Sequence, residues 1–289
     1  MIPWYFYAIG ATVFNTAFLI TRKRALSKVH SMNFESARSL SLAFLCLLLI
    51  PFINLNIDKK VLLLVYIVSL MATIGILFFS KALRHEEISF IVPLGNIKPA
   101  LVAVLAFFFL SETLGARQIV GIVILFLSAY LLESNYHFSD FLKPIKHFFS
   151  DKYSIFFVFA LSLFSITAVL DKFIITNHLD VFTYFFLIWI FVATNFNIIH
   201  AVIYGHKDTI NCFKKVTYLP VLVAGFSMIT NLLVLKALSL TFVSLVIPIL
   251  MLSSLFVVLL GGKFFHEKNI HFRLFISALM LVGAYLVII

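Results

Sequence analysis

Apolar residues are arranged along the chain in ten long blocks, with polar connections that are mostly short. Each block has about twenty residues, the length that a helix needs to cross the hydrocarbon layer of a membrane. Backbone polar groups inside lipid must bond within their own segment, so helices are expected, and barrel strands would alternate over about ten residues. The predicted spans are 4–21, 32–53, 61–83, 88–110, 116–133, 154–176, 181–204, 216–238, 242–265 and 273–289.

The chain contains one stretch twice, at residues 77–131 and 232–286, with a constant offset of 155 residues. Thirteen of these 55 positions are identical, and polar residues and prolines stay in step as well as apolar ones. Shared hydrophobicity alone does not explain such a gapless match, so it indicates an internal duplication. The identities include Lys81 and Lys236, Ala82-Leu83 and Ala237-Leu238, Pro93 and Pro248, and Glu112 and Glu267.

The duplication divides the chain into a first five-helix repeat, residues 1–134, and a second, residues 154–289, joined by a loop at 135–153. A duplicated unit with an odd number of spans enters the membrane in the opposite direction the second time. The sequence therefore predicts an all-α polytopic membrane protein built from two inverted five-helix repeats. This plan is typical of secondary transporters, whose substrate site lies near the midplane between the halves. The alternative is a duplicated scaffold that does not transport.

Composition supports this membrane class. The chain is 63% hydrophobic with 35 Phe, and only 12% of its residues are charged. A net charge of +10 would suggest nucleic acid for a soluble protein, but the cations lie mostly between apolar blocks. There they are topology signals and contacts for anionic lipid, so no nucleic-acid partner is expected. Cys46 and Cys212 form no disulfide framework, and the first block is expected to be retained rather than cleaved as a signal peptide.

Four features occur together in this chain: the five-plus-five plan, the Ala-Leu that ends the third span of each half, the early proline of the fourth span, and the glutamate after it. In this combination the chain resembles the EamA-like branch of the drug/metabolite transporter superfamily. The resemblance implies uptake or efflux of small metabolites across the cell membrane (inner or plasma), without ATP or a bound cofactor. Small multidrug-resistance relatives carry a glutamate in the first helix, where this chain has Asn15, which argues against proton-coupled cation transport at that position.

Lys98 is the ionisable residue placed deepest in a span. It lies about eleven residues into the fourth block, or roughly 15 Å along the helix and near the bilayer centre. Pro93 and Pro99 flank it, and each removes a backbone donor and interrupts the helix. Interrupted helices line cavities in transporters, so Lys98, the two prolines and the neighbouring Asn96 predict a substrate-facing break. The alternative is a kink in which Lys98 pairs with a carboxylate such as Asp171.

Weaker candidates surround this break. Arg38 lies two turns into the second span and contacts either the solute or Glu35, three residues earlier on the same face. Asp171 lies near the end of the sixth span and is equally open to both interpretations. Glu112 and Glu267 are predicted to complement the dipoles of the helices that follow them. The remaining polar candidates are Asn15, Asn231, Ser253 and Ser254, the last two at the repeat positions of Lys98 and Pro99, and Pro248 marks the second break.

No catalytic or cofactor motif is present in the sequence. It has neither a GxxxxGK[ST] phosphate loop nor an HExxH motif, and no acidic cluster suits a metal-dependent transferase. We therefore expect a non-enzymatic protein without cofactor or metal, working as a monomer or homodimer. The alternatives are a drug or cation exporter, a non-transporting membrane subunit and a membrane-embedded transferase.

The charges favour an anionic or zwitterionic solute, because no carboxylate is expected near the membrane centre to oppose Lys98. Lys98 is then the principal counter-charge, with Arg38 and the basic mouth at 22–24 adding to the field. For a zwitterion, Asn231 or Asp171 would meet the amine.

Orientation is left open by two conflicting signals. Connections after odd-numbered spans, counted together with the adjoining helix-end residues, carry fifteen Lys and Arg residues, and those after even-numbered spans carry five. The positive-inside rule then puts both termini outside, whereas the resembled family has both termini inside.

Overall fold

A computed structural model of the chain describes residues 2–54, 56–85, 95, 98–133, 152–203, 207–253, 255–257 and 270–289. Within these ranges all regular structure is helical, which confirms the predicted all-α class. The α-helices are α1 Trp4–Leu26, α2 Ser31–Cys46, α3 Lys59–His85, α4 Lys98–Leu110, α5 Ala116–Glu133, α6 Lys152–Asn177, α7 Val181–Ile203, α8 Lys207–Val216, α9 Leu219–Leu240, α10 Val243–Leu250 and α11 Ile270–Ile288.

Among the described residues, five helices are long and apolar enough to cross a membrane. They are Ser31–Phe52, Lys59–His85, Lys152–Asn177, Val181–Ile203 and Leu219–Leu240. Several further helices, including α4, are apolar but shorter. The multi-pass membrane class is therefore supported, while the arrangement as ten spans in two inverted repeats stays a prediction.

Local sequence explains most helix boundaries. Asp180 starts α7 because its carboxylate accepts from the backbone N–H groups of Phe182 and Thr183, each at 3.0 Å. Pro220 lies in the first turn of α9, where its missing N–H costs nothing. Pro51 lies in the 3₁₀ segment Leu47–Phe52 that extends α2.

Helix α8 was not predicted, because the connection before the eighth span reads as a polar loop. Its short sequence carries too few apolar residues to form a membrane block. Cys212 and Val216 pack into a buried cluster with Leu26 and Phe34, while Lys214 and Lys215 are exposed. The helix forms because one apolar side of it finds protein to pack against.

The main helix contacts are symmetric between the two halves of the chain. Helix α1 packs along α9, and α3 packs along α6. In the same way α2 contacts α9 while α3 contacts α7, and α4 contacts α6 while α1 contacts α10. The pairs α2–α7, α4–α10 and α5–α11 contact each other directly. Each of these contacts becomes another observed contact, or itself, when both helices are replaced by their counterparts in the other half.

The second break is visible at Pro248. Helix α10 ends at Leu250, and the N–H of Met251 donates to the carbonyl of Pro248 in a tight turn. Of the residues predicted to form the first break, Lys98 and Pro99 lie in the first turn of α4. Pro93 and Asn96 lie outside the described residues.

Candidate functional site

A cavity of about 420 Å³ opens between the helices of the two halves. Its wall is mostly apolar, and its polar and charged lining residues are Asn15, Arg22, Arg38, Lys98, Thr167, Asp171, Tyr184, Ser227, Thr230, Asn231 and Ser253. Of the described lining residues, none comes from α5 or α11. A cavity of this size holds a small molecule.

Six of the residues that the sequence put forward as solute contacts line this one cavity: Lys98, Arg38, Asn15, Asn231, Ser253 and Asp171. Pro99 lines it as well, and Pro248 is buried within α10 next to the lining residue Ile247. Ser254 and Glu267, like Pro93 and Asn96, lie outside the described residues.

Lys98 and Asp171 share the cavity, and the carboxylate acts on the ammonium electrostatically. The expectation that no carboxylate opposes Lys98 was therefore wrong. That expectation placed Asp171 at a helix end, away from Lys98. The packing of α4 on α6 instead brings Lys98 and Asp171 to the same cavity. Among the described residues they form no ion pair within 4.0 Å, because the Lys98 Nζ lies over the ring of Phe164, 5.8 Å from its centroid. The carboxylate of Asp171 accepts a short hydrogen bond from the hydroxyl of Tyr184.

A buried ion cluster forms a second charged part of the wall. Glu35, which is 0% exposed, accepts from Arg22 Nη2 at 2.8 Å through Oε1 and from Arg38 Nε at 2.6 Å through Oε2. The hydroxyl of Ser80 also donates to Glu35 Oε1, at 2.7 Å. The predicted pairing of Arg38 with Glu35 is thus observed, although Arg38 lines the cavity as well.

Two guanidinium groups share this one carboxylate, so the cluster carries one net positive charge. Aromatic faces contact both cations: Arg22 lies 4.9 Å from the ring centroid of Phe79, and Arg38 lies 5.4 Å from that of Trp189. Rings stabilise a partly desolvated cation through their negative faces, but they do not neutralise it. An excess of positive charge therefore remains beside the cavity.

Three side chains of α1 support the second break. The Thr12 hydroxyl donates to the carbonyl of Ile249 at 3.2 Å as well as to its own helix. The amide of Asn15 donates to the hydroxyl of Ser253 at 3.1 Å. The Thr16 hydroxyl lies 3.5 Å from the carbonyl of Ser253. These contacts join α1 to the segment from Ile249 to Ser253, where α10 ends.

The two halves also repeat a bonding pattern that the 155-residue offset did not reveal. In the first half Arg22 bonds to Glu35, and in the second Asp171 bonds to Tyr184, both across 13 residues. The lysine that follows each first residue donates to a leucine carbonyl at 2.6 Å, Lys23 to Leu83 and Lys172 to Leu238. Leu83 and Leu238 are 155 residues apart, so the two sets occupy corresponding places.

Glu112 was assigned to the wrong helix. It is buried, and its carboxylate accepts from the backbone N–H of Val243 at 2.8 Å and of Ser244 at 3.1 Å. The hydroxyl of Ser244 makes a further short bond to it. Glu112 therefore caps the start of α10 in the other half, not the helix that follows it, and its structural role is retained.

Sequence reasoning missed several lining residues. Arg22 was taken as part of a basic mouth, but burial against Phe18 and Phe79 makes it part of the wall. Trp189 and the tyrosines near the block ends, such as Tyr184, were interpreted as interfacial anchors, whereas both residues line the cavity. The signal that was available for Arg22 and Tyr184 is their pairing with Glu35 and Asp171 at the same spacing of 13 residues.

Within the described part of the chain, no group of three His, Cys, Asp or Glu side chains is placed to hold a metal ion.

Burial raises the pKa of the Cys212 thiol in α8 to about 11, so it stays protonated at neutral pH.

Comparison with known proteins finds a family match in the first half of the chain. Residues 2–134 match the EamA-like transporter family. An uncharacterized protein of Methanocaldococcus jannaschii is 38% identical over 91 residues, which cover 31% of this chain and 66% of that relative. This match therefore spans a little less than two thirds of the relative's length.

A solved crystal structure of a protein superimposes on this chain with a TM-score of 0.62 and covers 96% of both chains. The two sequences are 13% identical, so this likeness concerns the fold alone. Over residues 2–134, a little less than half of its length, the chain is therefore similar to the EamA-like transporter family, whose members are membrane transporters of the drug/metabolite transporter superfamily rather than enzymes.

Proposed function

We propose that the chain is a secondary transporter of a small anionic or zwitterionic metabolite. It works by alternating access between two inverted five-helix repeats, residues 1–134 and 154–289, joined at 135–153. We propose further that it acts in the cell membrane as a monomer or homodimer, with the lipid bilayer and the solute as its partners.

The charge balance of the cavity carries this proposal. Among the described lining residues, Arg22, Arg38 and Lys98 are cations and Asp171 is a carboxylate, while Glu35 is bonded behind the wall. Counting Glu35, the described charges leave one positive charge in excess. A buried excess of charge is costly unless a partner compensates it, and an acidic group of the solute supplies that partner.

Lys98 is proposed as the counter-charge of that acidic group. Its ammonium lies over the face of Phe164 and forms no ion pair with a described carboxylate, so we propose that it binds the ligand. Asp171, held by Tyr184, lies in the same cavity and would accept an amine, which is why the proposal includes zwitterions. The same carboxylate is the one observation that favours the second candidate, a cation exporter.

Alternating access is supported by the exchange of helix contacts between the halves and by the two equivalent bonding patterns at Arg22–Glu35 and Asp171–Tyr184. Inverted repeats predict opposite faces for corresponding loops. Reporter fusions after Asn54 and after Val216, which each follow the second long helix of a half, should report opposite sides of the membrane. The same side for both would contradict inverted halves.

The proposed role of Lys98 is tested by transport in vesicles containing Lys98→Gln at protein levels matched to the wild type. Lys81→Gln is the matched control, because Lys81 Nζ also lies 5.8 Å from a phenylalanine centroid but outside the cavity lining. We expect Lys98→Gln to lose most transport of an acidic solute and Lys81→Gln to retain it. Unchanged transport by Lys98→Gln would remove this lysine from the site.

A further inference from the structure

We infer that Thr230 and Arg38 form a second solute-binding position in the cavity, which takes a second acidic group. The inference rests on the proposed function and narrows its substrate class to doubly acidic solutes, represented by dicarboxylates. Lys98 binds one acidic group, and the position at Thr230 and Arg38 binds the other.

Thr230 is the first observation. It is 7% exposed and lines the cavity, and its hydroxyl has no hydrogen-bond partner among the described residues. A helical threonine ordinarily donates to a carbonyl one turn earlier, as Thr12 and Thr167 do. Next to Thr230, the carbonyl of Ser227 already accepts from the amide of Asn231 at 2.7 Å. A buried hydroxyl without a partner is unfavourable, so the ligand is the natural acceptor for it.

Arg38 is the second observation. Its Nε is bonded to Glu35 at 2.6 Å, but its Nη1 lies 3.5 Å from the hydroxyl of Ser227, at the limit of a hydrogen bond. A guanidinium has five N–H donors, and this one shares its carboxylate with Arg22. Arg38 thus contributes positive charge and further donors at the cavity wall. A carboxylate is the group that a guanidinium binds most effectively.

Ser227 connects the two observations in space. It contacts Arg38 and lies three residues before Thr230, so both hydroxyls occupy the same side of α9. The position is built by α2 and α9, whereas Lys98 stands on α4 over Phe164 of α6. Each position supplies a cation: Lys98, on which the cavity carboxylate Asp171 acts, and Arg38, which shares the carboxylate of Glu35 with Arg22. One acidic group of the solute offsets the single excess charge, and the other accepts hydrogen bonds from Arg38 and Thr230. Two such positions on different helices fit a solute with an acidic group at each end.

The test uses the purified full chain and three probe sets: succinate, glutarate and adipate, each with its monoamide and the monocarboxylate of equal length. Affinities come from thermal-shift titrations in detergent. We expect at least one diacid to bind the wild type more tightly than its monoamide and its monocarboxylate. Thr230→Val should lower that diacid-to-monoacid affinity ratio by about three- to ten-fold, the worth of one hydrogen bond.

Two variants separate binding from folding. Thr230→Ser keeps the hydroxyl and should keep the ratio. Thr167→Val removes another lining hydroxyl, one that is bonded to the carbonyl of Phe164 at 3.3 Å, and should leave the ratio unchanged. Because the Thr230 hydroxyl has no partner among the described residues, Thr230→Val should not lower the melting temperature of the ligand-free protein.

The inference is overturned if no diacid binds the wild type better than its monoacids, or if Thr230→Val leaves the ratio unchanged. A fall in the ligand-free melting temperature of Thr230→Val would also overturn it, since the hydroxyl would then have a structural role. These results leave the proposed function intact, because a solute with a single acidic group needs only the position at Lys98.

Discussion

The amide of Asn15 donates a hydrogen bond to the hydroxyl of Ser253 at 3.1 Å, across the contact between α1 and the second helix break. The repeat position of Ser253 is Lys98, which lies over Phe164 of α6 in the first turn of α4. The first helix of each half thus meets the same position in the other half. A hydrogen bond joins one pair, while an ammonium over an aromatic ring forms the other. The halves are related in plan but differ in chemistry, with the cation in the first half.

The bonds from α1 to the second break should contribute measurably to stability. Thr12→Val removes the donor that reaches the carbonyl of Ile249, and we expect a loss of about 0.6–1.7 kcal/mol, as for other polar contacts between membrane helices. Thr194→Val is the control, because the Thr194 hydroxyl is exposed and donates only to the Ile190 carbonyl of its own helix. Melting curves in detergent give both values, and equal losses would argue against the contact.

Glu112 should stabilise α10 as a cap supplied by the other half. Glu112→Gln weakens the acceptor of two backbone N–H groups and one hydroxyl, so we expect a loss of about 1–3 kcal/mol. Ser244→Ala removes only the hydroxyl contact and should cost less. Thermal unfolding of the two variants tests this order, and a larger effect of Ser244→Ala would contradict the capping role.

The cluster around Glu35 should behave as one coupled unit. Glu35→Gln leaves Arg22 and Arg38 buried without a carboxylate, and removing one partner of a buried ion pair costs about 3–5 kcal/mol. Adding Arg22→Gln to this variant removes one uncompensated cation. The double variant should therefore be less destabilised than the sum of the single variants. Additive melting shifts would show that the groups do not interact.

Glycine allows α5 and α11 to approach each other closely. A Cβ on Gly121 would lie 2.8 Å from the carbonyl oxygen of Gly283, so Gly121→Ala must separate the two helices. We expect a loss of about 1–3 kcal/mol from this overpacking. Gly225→Ala in α9 is the matched control, because nothing lies within 4 Å of its added Cβ, and it should be neutral or stabilising. A stable Gly121→Ala protein would contradict close packing there.

Hydrophobic patterning predicted most of this fold, because apolar blocks in a membrane protein are long and have few alternative structures. The predicted span at 116–133 coincides with α5, and the span at 181–204 differs from α7 by one residue. The pattern failed at α8, whose stability comes from Cys212 and Val216 packing on distant helices. The sequence of α8 alone does not show which helices it packs against.

The site was predicted in part for a related reason. Lys98 could be recognised because a lysine at the centre of a span is unusual whatever surrounds it. Arg22 and Thr230 could not be recognised, because their roles depend on the tertiary structure. Arg22 is bonded to Glu35 of another helix. Thr230 lies in the cavity wall, and its hydroxyl has no partner among the described residues. Asp171 was recognised, but its position opposite Lys98 required the packing of α4 on α6.

The central claim is that the excess positive charge of this cavity selects an acidic group on the transported solute. Counterflow into proteoliposomes containing the wild-type protein measures this directly, with acidic, zwitterionic and cationic solutes of similar size as competitors. The account predicts that acidic or zwitterionic solutes compete and that organic cations do not. Preferential counterflow of an organic cation would contradict it.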